Sequence, residues 1–145
     1  MWRFAFLLSL SVVVGCAQAP SKPADPNYVQ TETDDRELNQ AMATARKTLD
    51  EGLSYLGKAD AELLIKVGLP VPGGSKEHIW VDSIEKGAGG SLRGKLANDP
   101  VDLKNLKYGD PVNFVRSDVS DWMVTQSDGS TIGGYTIKVL QKRSQ

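Results

Sequence analysis

Hydrophobic and polar positions along this chain follow two different periods, one helical and one extended. Between residues 34 and 57, apolar side chains recur every three or four positions, the spacing of one face of an α-helix. Asp34 or Asp35 can cap the first turn, and Glu37 completes a capping-box pattern. Gly57 is a suitable C-terminal stop. The pattern therefore predicts an amphipathic helix whose apolar stripe is Leu38, Ala41, Met42, Ala45, Leu49, Leu53 and Leu56.

From residue 61 onward the period changes to two, which is typical of half-buried strands. Residues 61–70 alternate in this way, and residues 77–85 place Ile79 and Val81 on one face with His78, Trp80 and Asp82 on the other. A glycine-rich turn and a third strand at residues 91–97 follow, which predicts an antiparallel hairpin.

The last third of the chain contains further turn and strand signals. Residues 112–115 predict a strand, and Ser127-Asp128-Gly129 is a hairpin turn signal after residues 118–123. Residues 135–142 fit either a final strand or a short helix, with a slightly better helical spacing. We therefore predict an α+β fold in which the N-terminal helix packs on a curved antiparallel sheet of about five or six strands.

The N-terminal segment predicts export. Arg3 precedes an apolar run of about eleven residues, too short to span a bilayer but typical of a signal peptide. Val13-Val14-Gly15-Cys16 resembles a bacterial lipobox, in which cleavage precedes an acylated cysteine. The alternative is ordinary secretion with cleavage after Ala19, but Pro20 would then occupy an unfavourable first mature position.

These signals divide the chain into a lipoprotein-type signal peptide (residues 1–15), a proline-rich tether (16–33) and a single domain (34–145). Lipidation at Cys16 predicts attachment to the bacterial envelope, because buried acyl chains bind a membrane strongly. Ala17 after the cysteine favours the outer membrane, facing the periplasm, if the host is Gram-negative. A secreted or periplasmic soluble protein is the alternative.

Composition narrows the classes of function. The chain carries 17 basic and 18 acidic side chains, so it has no basic excess for nucleic-acid binding. With one cysteine and one histidine, neither a disulfide nor a thiolate metal site can form within the chain. Residues 89–95 match GxxxxGK, but Leu96 replaces the hydroxyl residue that holds magnesium, and the predicted context is a hairpin. We therefore expect no cofactor.

A few side chains are candidates for chemistry. Asp118 and Asp121 could act as acid and base or as calcium ligands, or they could cap and begin a helical turn. His78 lies near carboxylates in sequence, so a dyad is conceivable, although strand histidines more often have packing roles. The three aromatic residues Trp80, Trp122 and Tyr135 could line a ligand surface, or they could be buried in the core with polar tips near solvent.

Several motifs in fixed order carry a family resemblance: EHIW, NDP, YGDPVNF, DVSDWM, DG and GGYTIKVL. Together they resemble the YegJ-type bacterial domain of unknown function over roughly residues 61–140. The resemblance implies an α+β domain of bacterial origin and brings no activity with it.

The function that these patterns predict is a non-catalytic envelope lipoprotein that binds a protein or a small polar ligand. One alternative is an envelope hydrolase that uses His78 with Asp118 or Asp121. Another is a domain stabilised by calcium. A hydrolase would require His78 and an aspartate within hydrogen-bond reach, directly or through one water.

Overall fold

The computed structural model describes residues 35–145, which form two α-helices and one antiparallel sheet of six strands. The predicted α+β class is confirmed, as is the antiparallel sheet. The predicted signal peptide, the tether and Cys16 lie outside the described residues, as does Asp34. Within residues 35–145, neither helix combines the length and the apolar character that crossing a bilayer requires.

Helix α1 spans Arg36–Leu53 and begins after Asp35, whose carboxylate accepts a hydrogen bond from the Leu38 amide at 3.1 Å. The helix ends before the predicted stop, and the chain reaches Gly57 through a turn in which Gly57 has a φ of +77°. The positive φ explains why glycine occupies this position. The buried positions of α1 follow the three-four spacing: Leu38, Ala41, Ala45, Leu49 and Leu53.

The sheet has the strand order β4-β3-β2-β1-β5-β6, and every neighbouring pair is antiparallel. Strand β1 therefore lies between β2 on one side and β5 on the other. The strands are β1 (Ala61–Pro70), β2 (Lys76–Lys86), β3 (Leu92–Leu96), β4 (Pro111–Phe114), β5 (Val119–Gln126) and β6 (Thr131–Gly133).

The alternation along β1 and β2 separates two faces of the sheet. Ile65 and Val67 on β1, with Ile79 and Val81 on β2, join α1 residues such as Leu49 in one buried core. We call this side the inner face. Because successive strand residues point to opposite sides, the intervening side chains form the outer face, directed away from α1. The predicted division of β2 into two faces is thus confirmed.

The chain between β4 and β5 differs from the prediction. A short 3₁₀ turn, Arg116–Asp118, precedes β5, so Asp118 closes a turn instead of opening one. Asp121 lies inside strand β5. The helical turn predicted to begin at Asp118 is therefore wrong, because pairing of β5 with β1 keeps these residues extended.

Residues 135–143 resolve as helix α2 (Tyr135–Arg143), the better fitting of the two predicted alternatives. Gly133 and Gly134 have φ values of +80° and +66° and turn the chain from β6 into this helix. A Cβ atom on Gly133 would lie 2.3 Å from the carbonyl oxygen of Trp122. Only glycine satisfies both the backbone conformation and the close approach.

The two helices are joined at one end by an ion-pair cluster. Arg143 near the end of α2 binds the carboxylates of Asp35 and Glu37 at the start of α1. The hydrogen bond from Arg143 lowers the pKa of Asp35 to about 2. Asp35 therefore stays ionised, and able to cap α1, down to strongly acidic pH.

Candidate functional site

Four side chains form a patch on the outer face of the β1–β2 pair: Lys66, Lys76, His78 and Trp80. We call it the outer patch. Lys66 lies directly across from Trp80 in the strand register, and its Nζ is 5.5 Å from the centroid of the indole ring. This distance allows a cation–π interaction. Lys76 and His78 are exposed, whereas Lys66 and Trp80 are partly buried.

Gly68 determines how His78 lies on this surface. The two residues are paired across β1 and β2. A Cβ atom on Gly68 would lie 3.1 Å from Cε1 of His78 and 3.1 Å from Cδ of Lys76. The imidazole therefore rests against the glycine backbone, and this part of the outer patch is flat.

The electrostatics of the outer patch are those of a basic surface. Burial lowers the pKa of Lys66, while the nearby Asp121 carboxylate acts in the opposite direction. The pKa of His78 is also lowered, first by desolvation of the side of the ring that rests on the sheet and then by the positive charges of Lys66, Lys76 and Arg46. His78 is therefore neutral at neutral pH, and an anion near the patch would favour its protonated form.

Asp121 has a structural role at the start of α2. The residue is fully buried, and its Oδ1 accepts hydrogen bonds from the amides of Trp122 at 2.9 Å and Tyr135 at 3.0 Å. Its Oδ2 accepts from the amide and the hydroxyl of Thr136 at 2.8 and 2.6 Å. Asp121 therefore caps α2, a helix that begins fourteen residues later, and not the turn predicted beside it.

Asp118 lies elsewhere, at the end of the 3₁₀ turn. Its Oδ2 accepts a hydrogen bond from the Val115 amide at 3.1 Å, and its Oδ1 is 3.9 Å from Nζ of Lys76. In the part of the chain that the structure describes, no hydrogen bond or ion pair joins His78 to Asp118 or Asp121. The same residues contain no group of three or more potential metal-ligating side chains. The structure does not bring the predicted His–Asp dyad into direct contact.

The three aromatic residues that the sequence suggested as a ligand surface do not lie on one surface. Trp122 has no exposed area, and Tyr135 packs edge-on against it with ring centroids 5.8 Å apart. Thr48 links the pair, because its hydroxyl accepts a hydrogen bond from Nε1 of Trp122 at 3.1 Å and lies within hydrogen-bond distance of the Tyr135 hydroxyl, at 3.0 Å. Trp122 and Tyr135 therefore belong to the core and its margin. Trp80 alone of the three faces outward.

An open groove of about 490 Å³ lies where the chain leaves α1 and enters β1. Tyr55, Leu63 and Ile84 contribute apolar surface, but Nζ of Lys58 already lies 3.9 Å above the Tyr55 ring. The acidic residues at its rim are Glu62, Asp82 and Glu85, of which the last two are paired across the sheet with Lys95 and Arg93.

Comparison with known proteins identifies the domain. The profile of a bacterial family described as an uncharacterised protein conserved in bacteria, DUF2314, matches residues 35–145. The chain belongs to this family. The resemblance predicted from the ordered motifs is thereby confirmed, and every residue of the outer patch lies within the DUF2314 region.

The chain is similar to two curated proteins. The chain is 31% identical to the uncharacterised protein YegJ of Escherichia coli strain K12 over 134 residues, or 92% of this chain and 86% of that protein. It is 37% identical over 65 residues to a protein of Neisseria meningitidis serogroup B provisionally described as an ankyrin repeat protein. That match spans 45% of this chain and 25% of the relative. No solved structure matches the chain.

Two residues of this DUF2314 domain have roles that the sequence patterns did not single out. Glu77 lies on the inner face, 5% exposed, and its carboxylate accepts hydrogen bonds from the amides of residues 101, 102 and 103. It therefore holds the β3–β4 loop, and it cannot pair with His78 on the opposite face. The sequence offered one signal for the role of Glu77, since an acidic residue stands there at a position where the alternating pattern of β2 has apolar side chains. Lys66 carried no such signal, because its contact with Trp80 depends on the strand register.

Proposed function

We propose that this chain is a lipid-anchored protein of the bacterial envelope whose DUF2314 domain is a non-catalytic binding module, with the outer patch as its contact surface. The observation that supports the proposal best is the position of Trp80 and Lys66. A large aromatic ring and a desolvated ammonium group lie side by side on the sheet face directed away from α1. Tryptophan is enriched at binding surfaces, where a few such side chains carry most of the binding free energy.

The contacts of the two aspartates favour a binding role over a catalytic one. Both oxygens of Asp121 accept hydrogen bonds from protein donors, and Asp118 contacts a backbone amide and Lys76. Neither carboxylate makes a hydrogen bond or an ion pair with His78 within the described residues, and both already accept hydrogen bonds from other protein groups.

The envelope location rests on the N-terminal sequence. The segment Val13-Val14-Gly15-Cys16 provides the acylation signal, and the proline-rich residues 16–33 provide a spacer between the anchor and the domain. In a Gram-negative host, Ala17 directs the lipoprotein to the outer membrane. The tether would then hold the domain, and with it the outer patch, in the periplasm.

Site-specific photo-cross-linking in living cells tests the binding role. A photoreactive amino acid at position 78 is expected to give discrete adducts with an envelope component. The same group at position 47, on the exposed side of α1, is the matched control and should give none of these adducts. Adding Trp80→Ala should weaken the adducts from position 78. Equal adduct patterns from positions 78 and 47 would contradict the assignment of the outer patch.

Processing of Cys16 variants tests the anchor. We expect Cys16→Ser to accumulate as precursor and to leave the detergent phase, because the acyl chains cannot be attached. Ala19→Leu is the control, since a bulky residue there blocks ordinary signal-peptidase cleavage but not cleavage before Cys16. Precursor size on gels and detergent partitioning provide the measurements. Normal maturation of Cys16→Ser together with a block in Ala19→Leu would show plain secretion.

A further inference from the structure

Within the described residues, the two lysines of the outer patch are only weakly paired with carboxylates. Lys66 has no carboxylate oxygen within 4 Å there. Lys76 lies 3.9 Å from Asp118, and both side chains are in contact with solvent, so this ion pair contributes little. Asp121 is paired with Lys66 in the strand register and attracts its ammonium group, but the hydrogen bonds to its Oδ2 come from the first turn of α2.

The positions of these groups have a regular spacing. A strand rises about 3.4 Å per residue, so Lys76, His78 and Trp80 recur at about 7 Å along the outer face of β2. Every second side chain of an extended peptide recurs at the same interval. Lys66 widens the patch by one strand spacing, about 5 Å. Gly68 keeps the surface beneath His78 flat.

The basic run has a defined end. The next outward residue of β2, Asp82, is acidic and lies opposite Lys95 of β3 in the strand register. The positive surface is therefore confined to the half of β2 between Lys76 and Trp80. A partner that matches it needs negative charges over this length only.

We propose that the partner of the outer patch is an extended acidic segment of a protein, lying along β2 with carboxylates at alternate positions. One carboxylate would contact Lys76, and a second would contact His78 and Lys66. The next side chain of the segment that points towards the sheet would be apolar and would cover Trp80. This inference rests on the binding role proposed above and names the chemistry of its partner.

Binding of such a segment is coupled to protonation of His78. The charged groups around the ring are Lys66 on β1, Lys76 on β2 and Arg46 on α1, with Asp118 near Lys76 and Asp121 of β5 near Lys66. The positive neighbours disfavour the imidazolium, and a bound carboxylate reverses this effect. Affinity should therefore increase as the pH falls through the His78 pKa, while the carboxylates of the partner remain ionised.

His78 provides a direct readout, because it is the only histidine in the chain. In the full lipidated chain, held in zwitterionic micelles and labelled with ¹³C-histidine, one ring resonance reports its titration. A synthetic peptide of alternating glutamate and threonine with one leucine is the probe, and the same peptide with glutamine for glutamate is its control. We expect the glutamate peptide to move the titration midpoint to higher pH and the glutamine peptide to leave it unchanged.

Matched variants test which residues contact the peptide. Lys66→Gln is expected to weaken peptide binding about tenfold, because it removes a desolvated charge from the contact. Lys95→Gln makes the same change of charge on the outer face but beyond the patch, and it should have less than about a twofold effect. Gly68→Ala changes no charge, yet it should also weaken binding by displacing the His78 ring. Circular dichroism of each variant verifies that the fold is intact.

Several results would overturn the inference. Equal binding of both peptides, or equal effects of Lys66→Gln and Lys95→Gln, would show that the patch does not select carboxylates. A response of the His78 resonance to glycerol phosphate at lower concentration than to the glutamate peptide would assign the patch to a lipid headgroup. If cross-links form at position 78 but the glutamate peptide does not bind, the binding role stands and the acidic partner is wrong. Absence of cross-links from position 78 counts against the binding role itself.

Discussion

Replacing Trp122 with alanine is expected to lower the free energy of unfolding by about 3–5 kcal/mol, as for other buried aromatic residues. The indole ring has no exposed surface and occupies the centre of the core between α1 and the sheet. A Cβ atom on Gly52 of α1 would lie only 2.8 Å from the ring. Because backbone and ring are this close, neighbouring groups cannot fill the cavity that alanine would leave.

Urea unfolding followed by far-UV circular dichroism measures this change. Trp80→Ala is the matched control, since it removes the same side chain from the outer face, where the ring is only partly buried. We expect Trp80→Ala to cost about 1 kcal/mol or less. Similar losses for the two variants would contradict the assignment of one tryptophan to the core and the other to a contact surface.

Replacing Asp121 with alanine should have the next largest effect, a loss of about 2–4 kcal/mol in the free energy of unfolding. The substitution removes the acceptor for the amides of Tyr135 and Thr136 and for the Thr136 hydroxyl. These donors lie in or near the core, so water cannot readily replace the carboxylate. The first turn of α2 should therefore fray, and its packing against α1 and β5 should weaken.

Amide hydrogen exchange distinguishes this effect from general destabilisation. In Asp121→Ala, the amides of residues 135 and 136 should lose protection more than amides of α1 do. Asp118→Ala is the control, because that carboxylate accepts one hydrogen bond from Val115 near the surface, and its loss should cost about 1 kcal/mol or less. A uniform loss of protection across the domain in Asp121→Ala would argue against a local capping role.

The two tryptophans and the two aspartates illustrate how tertiary context separates like residues. Asp118 and Asp121 are three positions apart and look equivalent as a carboxylate pair. Pairing of β5 with β1 keeps Asp121 extended and buried, whereas Asp118 remains in a solvent-accessible turn. Mutations that appear interchangeable by sequence therefore divide into those that test the fold and those that test function.

For the proposed binding role, this division identifies the useful variants. Changes at Lys66, His78 and Trp80 alter the outer face without removing core volume or helix caps. Changes at Glu77, Trp122 or Asp121 act on the inner face, the core or α2. A loss of binding from the first group, with unfolding energies near that of the natural protein, can be assigned to the surface itself.

The sequence by itself determined the features that depend on local periodicity. The three-four spacing after Asp35 predicted α1 and its buried side, and the period of two predicted β1 and β2 with His78 and Trp80 on one face. The ordered motifs also identified the family. These features are local, because side-chain direction follows from the helical or extended conformation of the chain.

Only the tertiary structure decided which distant residues meet. Capping of α2 by Asp121 joins residues fourteen positions apart, and the contact of Lys66 with Trp80 depends on the register of two strands. Both depend on how the sheet pairs and how the core closes around Trp122. A shift of one residue in the register would reverse every side chain of a strand, so these contacts follow from the packing of the whole domain and not from any single segment.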